Sequence, residues 1–194
     1  MRSTTFLLTS LLSTSLVLAS SKDLSNDTKV EITIKQEGIK YIKMLGGTLK
    51  KQLQIHMKSD KTGLSAIGFC SLKAEGITKE VNKELPDHAS VRRTALKIRN
   101  DNNTPDSIDI KVMKEYEASI AAKTFLPTDI KIVKEGDTTR IYKPLITQGI
   151  CLTCHGSNIS KEIQNEITTN YPNDQAVAFE KGSLRGVIVS EIKK

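Results

Sequence analysis

The chain has 194 residues, of which 29 are basic and 22 acidic, and its formal net charge is +7. The basic residues are scattered, and aromatic residues make up only 4% of the chain, which argues against a nucleic-acid-binding surface. This length suits a single domain with one hydrophobic core, and most of the lysines are expected on its solvated surface.

The first 20 residues have the pattern of a secretory signal peptide. Arg2 supplies a positive charge, residues 6–18 are apolar apart from Ser and Thr, and Ala19 and Ser20 offer small residues for cleavage. The apolar stretch is shorter than the roughly 20 residues that span a bilayer, so cleavage is favoured over a retained anchor. We therefore expect a signal peptide over residues 1–20 and a soluble, exported domain over residues 21–194. The expected location is the periplasm, without stable membrane insertion.

Two helices are predicted after the leader. An apolar stripe that includes Ile42, Leu45 and Leu49 predicts a helix over residues 32–57, which Gly46 and Gly47 weaken in its middle. After a turn at residues 59–63, a second helix is predicted to reach Leu85. Its apolar face recurs at steps of three and four residues and consists of Ile67, Cys70, Ala74, Ile77 and Val81.

The remainder predicts an antiparallel sheet with helical insertions. Alternation over residues 91–99 predicts a strand that places Arg93 and Arg99 on one face and Arg92 on the other. A helix with Pro105 at its first position follows, and residues 130–133 and 139–142 flank a turn at Gly136. A short helix over residues 159–167 and a strand over residues 187–192 complete the chain. The predicted fold class is α+β.

A Cys-x-x-Cys-His motif, Cys151-Leu152-Thr153-Cys154-His155, follows the predicted hairpin. Two thiols at this spacing can add to the two vinyl groups of one porphyrin, and the imidazole that follows can ligate its iron. The motif predicts one covalently attached haem c, bound through Cys151 and Cys154, with His155 as the proximal ligand. Such haem is attached outside the cytoplasm, in agreement with the predicted signal peptide.

Two other uses of the motif are a thiol-redox pair and half of a zinc site. Zinc would need further ligands, and only Cys70, His56 and His88 remain among the Cys and His residues. A thioredoxin-like pair would lie early in a βαβ pattern, whereas this motif lies late in the chain. Cys70 is an odd cysteine, which either packs as a small buried hydrophobe or supplies a thiolate as the sixth iron ligand.

Other side chains compete for the roles around an iron. The rival sixth ligands are His56, His88, Met57 and Met113, all of which have ordinary structural explanations. For the haem propionates, Arg92, Arg93 and Arg99 are candidates, because a guanidinium fork matches a carboxylate.

Several segments, in order, resemble the PAS-like single-haem c-type proteins known from cyanobacteria, which also occur as extracytoplasmic sensor domains. The resemblance lies in residues 66–70, 91–100, 143–145, 151–156, 171–176 and 182–186. These segments span nearly the whole chain after the leader. One departure is that the family often has Ala-Pro shortly after its helix cysteine, where this chain has Lys73-Ala74-Glu75.

The resemblance implies a PAS-like antiparallel sheet and a haem ligated by His155 and Cys70. A thiolate opposite an imidazole favours ferric iron and a low potential, and its release on reduction would open a site for NO or CO. We therefore expect a redox or small-ligand sensor that acts through a separate signalling receptor. A low-potential one-electron carrier with a redox partner protein is the alternative. No enzymatic activity is expected, because no distal acid–base group is evident.

Overall fold

The computed structural model describes residues 18–194, with side chains from Thr28 onward. The predicted signal peptide therefore lies almost entirely outside the described residues, and the boundary after residue 20 stays a prediction. The pattern of contacts between residues divides the chain into two compact units, with the boundary between residues 33 and 34. Residues 18–33 form the first turns of helix α1 (Leu18–Ser59), and residues 34–194 form the larger unit. No helix within residues 18–194 has both the length and the apolarity needed to cross a membrane.

The larger unit combines helices with one antiparallel sheet of four strands in the order β1-β4-β3-β2. Its strands are β1 (Ala89–Thr94), β2 (Lys131–Glu135), β3 (Thr138–Ile146) and β4 (Leu184–Lys193). After α1 come α2 (Leu64–Leu72), α3 (Ala74–Lys83), α4 (Ser107–Ala121), α5 (Leu152–His155) and α6 (Lys161–Asn170). The predicted mixture of helices with an antiparallel sheet is confirmed, as are the β2–β3 hairpin and the last strand.

Both faces of the sheet are covered, which explains why the central strand β4 is buried along most of its length. Because side chains alternate across a strand, neighbours such as Ile188 and Val189 enter different clusters. The cluster under α1 and α3 includes Leu45, Val81, Val91, Ile141, Ile188 and Ile192. The cluster under α4 includes Val112, Met113, Tyr116, Tyr142, Val187 and Val189.

Helix α1 is continuous across Gly46 and Gly47, where the sequence predicted a weak point. At position 46 an added Cβ would lie 2.7 Å from Cδ1 of Ile188. Gly46 therefore allows the helix to approach β4 closely.

Helix α4 begins two residues later than predicted, at Ser107 rather than at Pro105, and Asp106 is its cap. The Asp106 carboxylate accepts a hydrogen bond from the amide of Asp109 at 2.9 Å. The Asp109 carboxylate accepts one in return from the amide of Asp106 at 3.1 Å. This reciprocal capping box satisfies two amide groups and fixes the helix start.

Two further expectations are wrong in their boundaries. The predicted strand over residues 91–99 ends at Thr94, so alternation places Arg92 and Arg93 but not Arg99. The predicted second helix is broken at Lys73, where φ is −122° and ψ is −28°. Helix α2 packs against α6 and α3 packs against β1, so the two segments have different packing partners. Cys70 and Val81 consequently lie in different clusters.

Candidate haem site

The Cys-x-x-Cys-His motif forms a compact turn between β3 and α6. A 3-10 turn at Gly149–Cys151 leads directly into the single turn of α5. The amide of Gln148 donates to Sγ of Cys151 at 3.3 Å, and the amide of Gly156 donates to the carbonyl of Leu152 at 2.9 Å. Cys151 and Cys154 are three residues apart in this helical stretch, so their side chains share one side of it.

His155 is held in one orientation and one protonation state. Its Nδ1 lies 2.7 Å from the carbonyl oxygen of Ala176. Because a carbonyl can only accept, Nδ1 carries the hydrogen, and in the neutral ring Nε2 keeps its lone pair. Phe179 packs edge-on against the ring at 6.1 Å. Burial, together with the charges of Arg185 and Arg99, lowers the pKa of His155 well below its ordinary value, which favours the neutral ring.

Cys70 lies on α2 beside the motif. It packs with Cys154 against a third hydrophobic cluster, whose buried members are Ile67, Ile163, Ile167 and Tyr171. Burial raises the pKa of the Cys70 thiol. The positive charges of Arg93, Arg99 and Arg185 act in the opposite direction, but burial has the larger effect. Burial likewise raises the pKa of Cys154 to about 11. The structure therefore places Cys70 and Cys154 against the same hydrophobic cluster.

The start of α2 also packs closely against the Cys-x-x-Cys-His motif. Gly63 precedes the helix with a φ of +90°, and an added Cβ there would lie 2.9 Å from Cγ2 of Thr153. The same Cβ would lie 3.0 Å from Cδ1 of Ile163 on α6. Only glycine combines this backbone angle with so close an approach.

Arg99 links the Cys-x-x-Cys-His motif to the segment around Ala176, whose carbonyl accepts the hydrogen bond from His155. Its Nε and Nη2 donate to the two carboxylate oxygens of Asp174 at 3.1 and 3.0 Å. Nη2 also donates to the carbonyls of Cys154 at 2.7 Å and Ala176 at 3.1 Å. These nitrogens are occupied by protein acceptors, so Arg99 positions the motif. Its predicted pairing with a propionate stays a prediction for Nη1 alone.

Arg93 and Arg185 also face this region. The Nε of Arg93 is buried and has no hydrogen-bond partner among the described residues. Arg185 was not singled out by the sequence analysis, although Gly182 and Gly186 bracket a lone basic residue at the entry to a buried strand. Its guanidinium lies 5.2 Å from the centroid of the Phe179 ring. Burial lowers the pKa of Arg185 to about 10, and repulsion from Arg99 adds to this effect.

Three of the four rival ligands make other contacts. Nδ1 of His56 lies 2.8 Å from Oγ of Ser65, and its ring stacks on Phe69 at 5.0 Å. The exposed His88 pairs with Glu37 at 3.0 Å. Met113 is fully buried beneath α4.

Arg92, the third candidate for a propionate, is also engaged elsewhere. It bonds to Asp109 at 2.8 and 3.1 Å and to Glu191 at 3.0 and 3.1 Å, on the α4 face of the sheet.

The residues present fit an iron porphyrin that carries two carboxylates. Two thiols on one side of a turn, an imidazole with a free Nε2 and a third thiol nearby are the groups that such a cofactor uses. Three buried or half-buried arginines face a single ion-paired carboxylate, Asp174, among the described residues. Their excess of positive charge suits an anionic group. A cavity of about 380 Å³ adjoins the motif at Gly156 and is lined by Ile167 and Tyr171.

Comparison with known proteins identifies the family. A sequence profile of the Tll0287-like family matches residues 12–192. The chain belongs to the Tll0287-like family. This confirms the family expected from the ordered segments. The crystal structure of the cyanobacterial haem protein Tll0287 has 22% sequence identity and a TM-score of 0.54. The alignment covers 88% of this chain and 96% of that one.

At this level of identity, the likeness to Tll0287 establishes a shared fold. No protein among the curated sequences matches the chain. Within the described residues, no group of three or more His, Cys, Asp and Glu side chains is arranged to hold a metal ion by itself.

Proposed function

We propose that this member of the Tll0287-like family is an exported, periplasmic protein that carries one covalent haem c on a PAS-like domain. Cys151 and Cys154 form the thioether links, and His155 and Cys70 are the axial ligands. The observation that carries the proposal is the 2.7 Å hydrogen bond from His155 to Ala176, because it leaves Nε2 free for iron. Family membership supports it, since Tll0287 is a haem protein.

Sensing is the function that we propose for this site. A bound haem c would supply an iron that exchanges one electron and accepts a small diatomic ligand. Cys70 lies on a nine-residue helix with a break at each end, at Gly63 and Lys73. A short helix between two breaks can shift as a unit, which favours a thiolate ligand that is exchanged when the redox state changes or NO or CO binds. The signal would pass to a separate receptor protein.

Low-potential electron transfer is the second candidate. The contacts of α1 with α2 favour it, because His56 bonds to Ser65 and stacks on Phe69. These contacts would hold Cys70 in place through reduction, and a carrier keeps both axial ligands during turnover. We propose no catalytic activity, because the sequence shows no evident distal acid–base group for chemistry at the iron.

The first test is covalent attachment. The full chain is expressed with a periplasmic haem-maturation system, and haem is measured after denaturing electrophoresis. The wild type should keep its haem through denaturation, and the Cys151→Ala, Cys154→Ala double variant should lose it. A wild type that carries no haem under these conditions would contradict the proposal.

The second test concerns Cys70 and uses absorption and EPR spectra of the ferric protein. The wild type should show a low-spin thiolate signature that Cys70→Ala removes and the matched neighbour variant Ser71→Ala retains. Unchanged spectra in Cys70→Ala would mean that Cys70 only packs.

Carbon monoxide separates the sensor from the carrier. The ferrous sensor should bind CO, and His56→Ala, which loosens α2, should bind it faster. A six-coordinate ferrous protein that excludes CO in both forms would favour the electron carrier.

A further inference from the structure

We propose that Arg93 and Arg185 form a site for two carboxylates and bind the two propionates of the haem. The inference rests on the proposed function and adds a residue, Arg185, that the sequence did not single out. It also assigns no propionate to Arg99, because Nε and Nη2 of Arg99 are already bonded to Asp174 and to the main chain.

Within the described part of the chain, Nε of Arg93 is a buried donor without an acceptor. Arg93 follows Arg92 in β1, and alternation turns it to the opposite face, toward α2 and α3. Its charge acts on Cys70, on Tyr171 and on Glu75. The Glu75 carboxylate is itself held by Lys79 at 2.8 Å, on the exposed side of α3. A buried guanidinium nitrogen without a partner is costly, so an anionic acceptor at this position would offset the desolvation of Arg93.

Arg185 reaches the site because β4 bulges at this residue. Leu145 of β3 pairs with Gly186 and Ile146 pairs with Leu184, so Arg185 is an extra residue between two paired ones. Such bulges redirect a side chain that a regular strand would place elsewhere. The redirected guanidinium stacks on Phe179, which packs against His155. Its Nη1 donates to the carbonyl of Lys97 at 3.2 Å, which leaves Nε and Nη2 outside this bond.

The charges around the site favour anionic ligands. Arg185 interacts electrostatically with Arg93 and Arg99, and all three guanidinium groups act on Cys70. Within the described chain, Asp174 is the acidic side chain that pairs with this group, through Arg99. One carboxylate against three guanidinium groups leaves two positive charges in a half-buried region. A porphyrin with two propionates brings two negative charges. Guanidinium forks bind carboxylates in a planar, two-pronged geometry, for which lysine is a poor substitute.

The test follows the haem carboxyls themselves. Holoprotein is prepared with haem that carries ¹³C at its carboxyl carbons, and infrared titration records the protonation of those carboxyls. Arg93→Gln and Arg185→Gln should each raise the titration midpoint of a labelled carboxyl by about one pH unit, the size expected from losing one close charge. Lys114→Gln, which removes one positive charge from the exposed side of α4, should leave both midpoints unchanged.

The outcomes distinguish this inference from the proposed function. A wild type without covalent haem overturns the proposed function. Covalent haem whose labelled carboxyls titrate alike in the wild type and in both Gln variants overturns the inference alone. Where a Gln variant fails to accumulate, the Lys variant at the same position keeps the charge and loses the fork. A partial upward shift in Arg93→Lys or Arg185→Lys supports the inference, and an unchanged midpoint overturns it.

Discussion

Arg99 and Asp174 form a two-pronged ion pair in which both side chains are less than 10% exposed, although 75 positions separate them in the chain. The pair joins the segment after β1 to the loop before β4. Through the same guanidinium it also reaches the carbonyls of Cys154 and Ala176. One side chain therefore sets the distance between the motif and the acceptor that orients His155.

Removal of the Asp174 charge should destabilise the protein strongly. Asp174→Asn keeps the shape of the side chain and leaves Arg99 buried without a counter-ion, which costs about 3–5 kcal/mol for a buried pair. The free energy of unfolding by urea measures the effect. Glu75→Gln breaks an exposed ion pair with Lys79 and should show no measurable loss, because solvent screens such pairs. Equal losses in the two variants would show that the Arg99–Asp174 pair contributes no special stability.

Gly63→Ala should lower the stability of the protein for two reasons, a strained backbone angle and a steric clash, and comparison with Gly182→Ala should separate the two. A residue with a side chain at a φ of +90° costs about 1–2 kcal/mol, and the contact with Thr153 should add about 1 kcal/mol or more. Gly182→Ala is the matched control, because its φ is +93° and an added Cβ meets nothing within 4 Å. Thermal unfolding of the two variants gives the difference. If Gly182→Ala is as destabilised as Gly63→Ala, the approach of α2 to the motif is looser than described.

Arg92→Gln should lower stability without affecting the haem. Arg92 pairs with Asp109, whose side chain is fully buried, so its loss should cost about 3 kcal/mol. Its side chain lies on the α4 face, opposite that of Arg93. Chemical unfolding and the absorption spectrum of the same sample test both expectations. A shifted haem spectrum in Arg92→Gln would place Arg92, rather than its neighbour, at the cofactor.

The charge cluster at the start of α4 should give the protein an acid-sensitive stability. Burial would raise the pKa of Asp106, but the amide of Asp109 and the guanidinium of Arg140 outweigh it and hold this pKa below its ordinary value. Because the folded pKa is depressed, the carboxylate stabilises the fold above its unfolded pKa. That contribution is lost as the pH falls through the folded value.

Asp106→Asn tests this dependence, since asparagine keeps the helix cap and removes the charge. Urea unfolding from neutral pH downward should show the variant less stable than the wild type at pH 7. The two curves should begin to approach each other as the pH falls below about 3.8, the ordinary pKa of aspartate, and should meet below the depressed pKa of the folded state. Asp87→Asn makes the same change in an exposed loop and should follow the wild type throughout. A gap between Asp106→Asn and the wild type that persists at low pH would assign the loss to geometry.

Features that depend on neighbouring residues could be predicted from the sequence. The spacing of Cys151, Cys154 and His155 is local chemistry, and the turn at Gly136 between two alternating runs is local geometry. The adjacent residues Arg92 and Arg93 fall on opposite faces as alternation requires.

The remaining features depend on partners that are distant in the chain. Arg99 lies beyond the end of β1, where alternation no longer applies, and its partner Asp174 belongs to a loop far along the sequence. The orientation of Arg185 depends on the pairing of β4 with β3, which no local pattern reveals. The break at Lys73 arises because α2 and α3 pack on different elements.

The acceptor for His155 is a main-chain oxygen, and this has a genetic consequence. Replacement of the Ala176 side chain cannot delete the carbonyl, so no substitution at this position removes the acceptor atom itself. Substitutions at Arg99 and Asp174 should instead change this hydrogen bond, because these two side chains bond to the main chain of Ala176 and set where its oxygen lies. The electronic character of the imidazole can therefore be tuned by residues that never touch its ring.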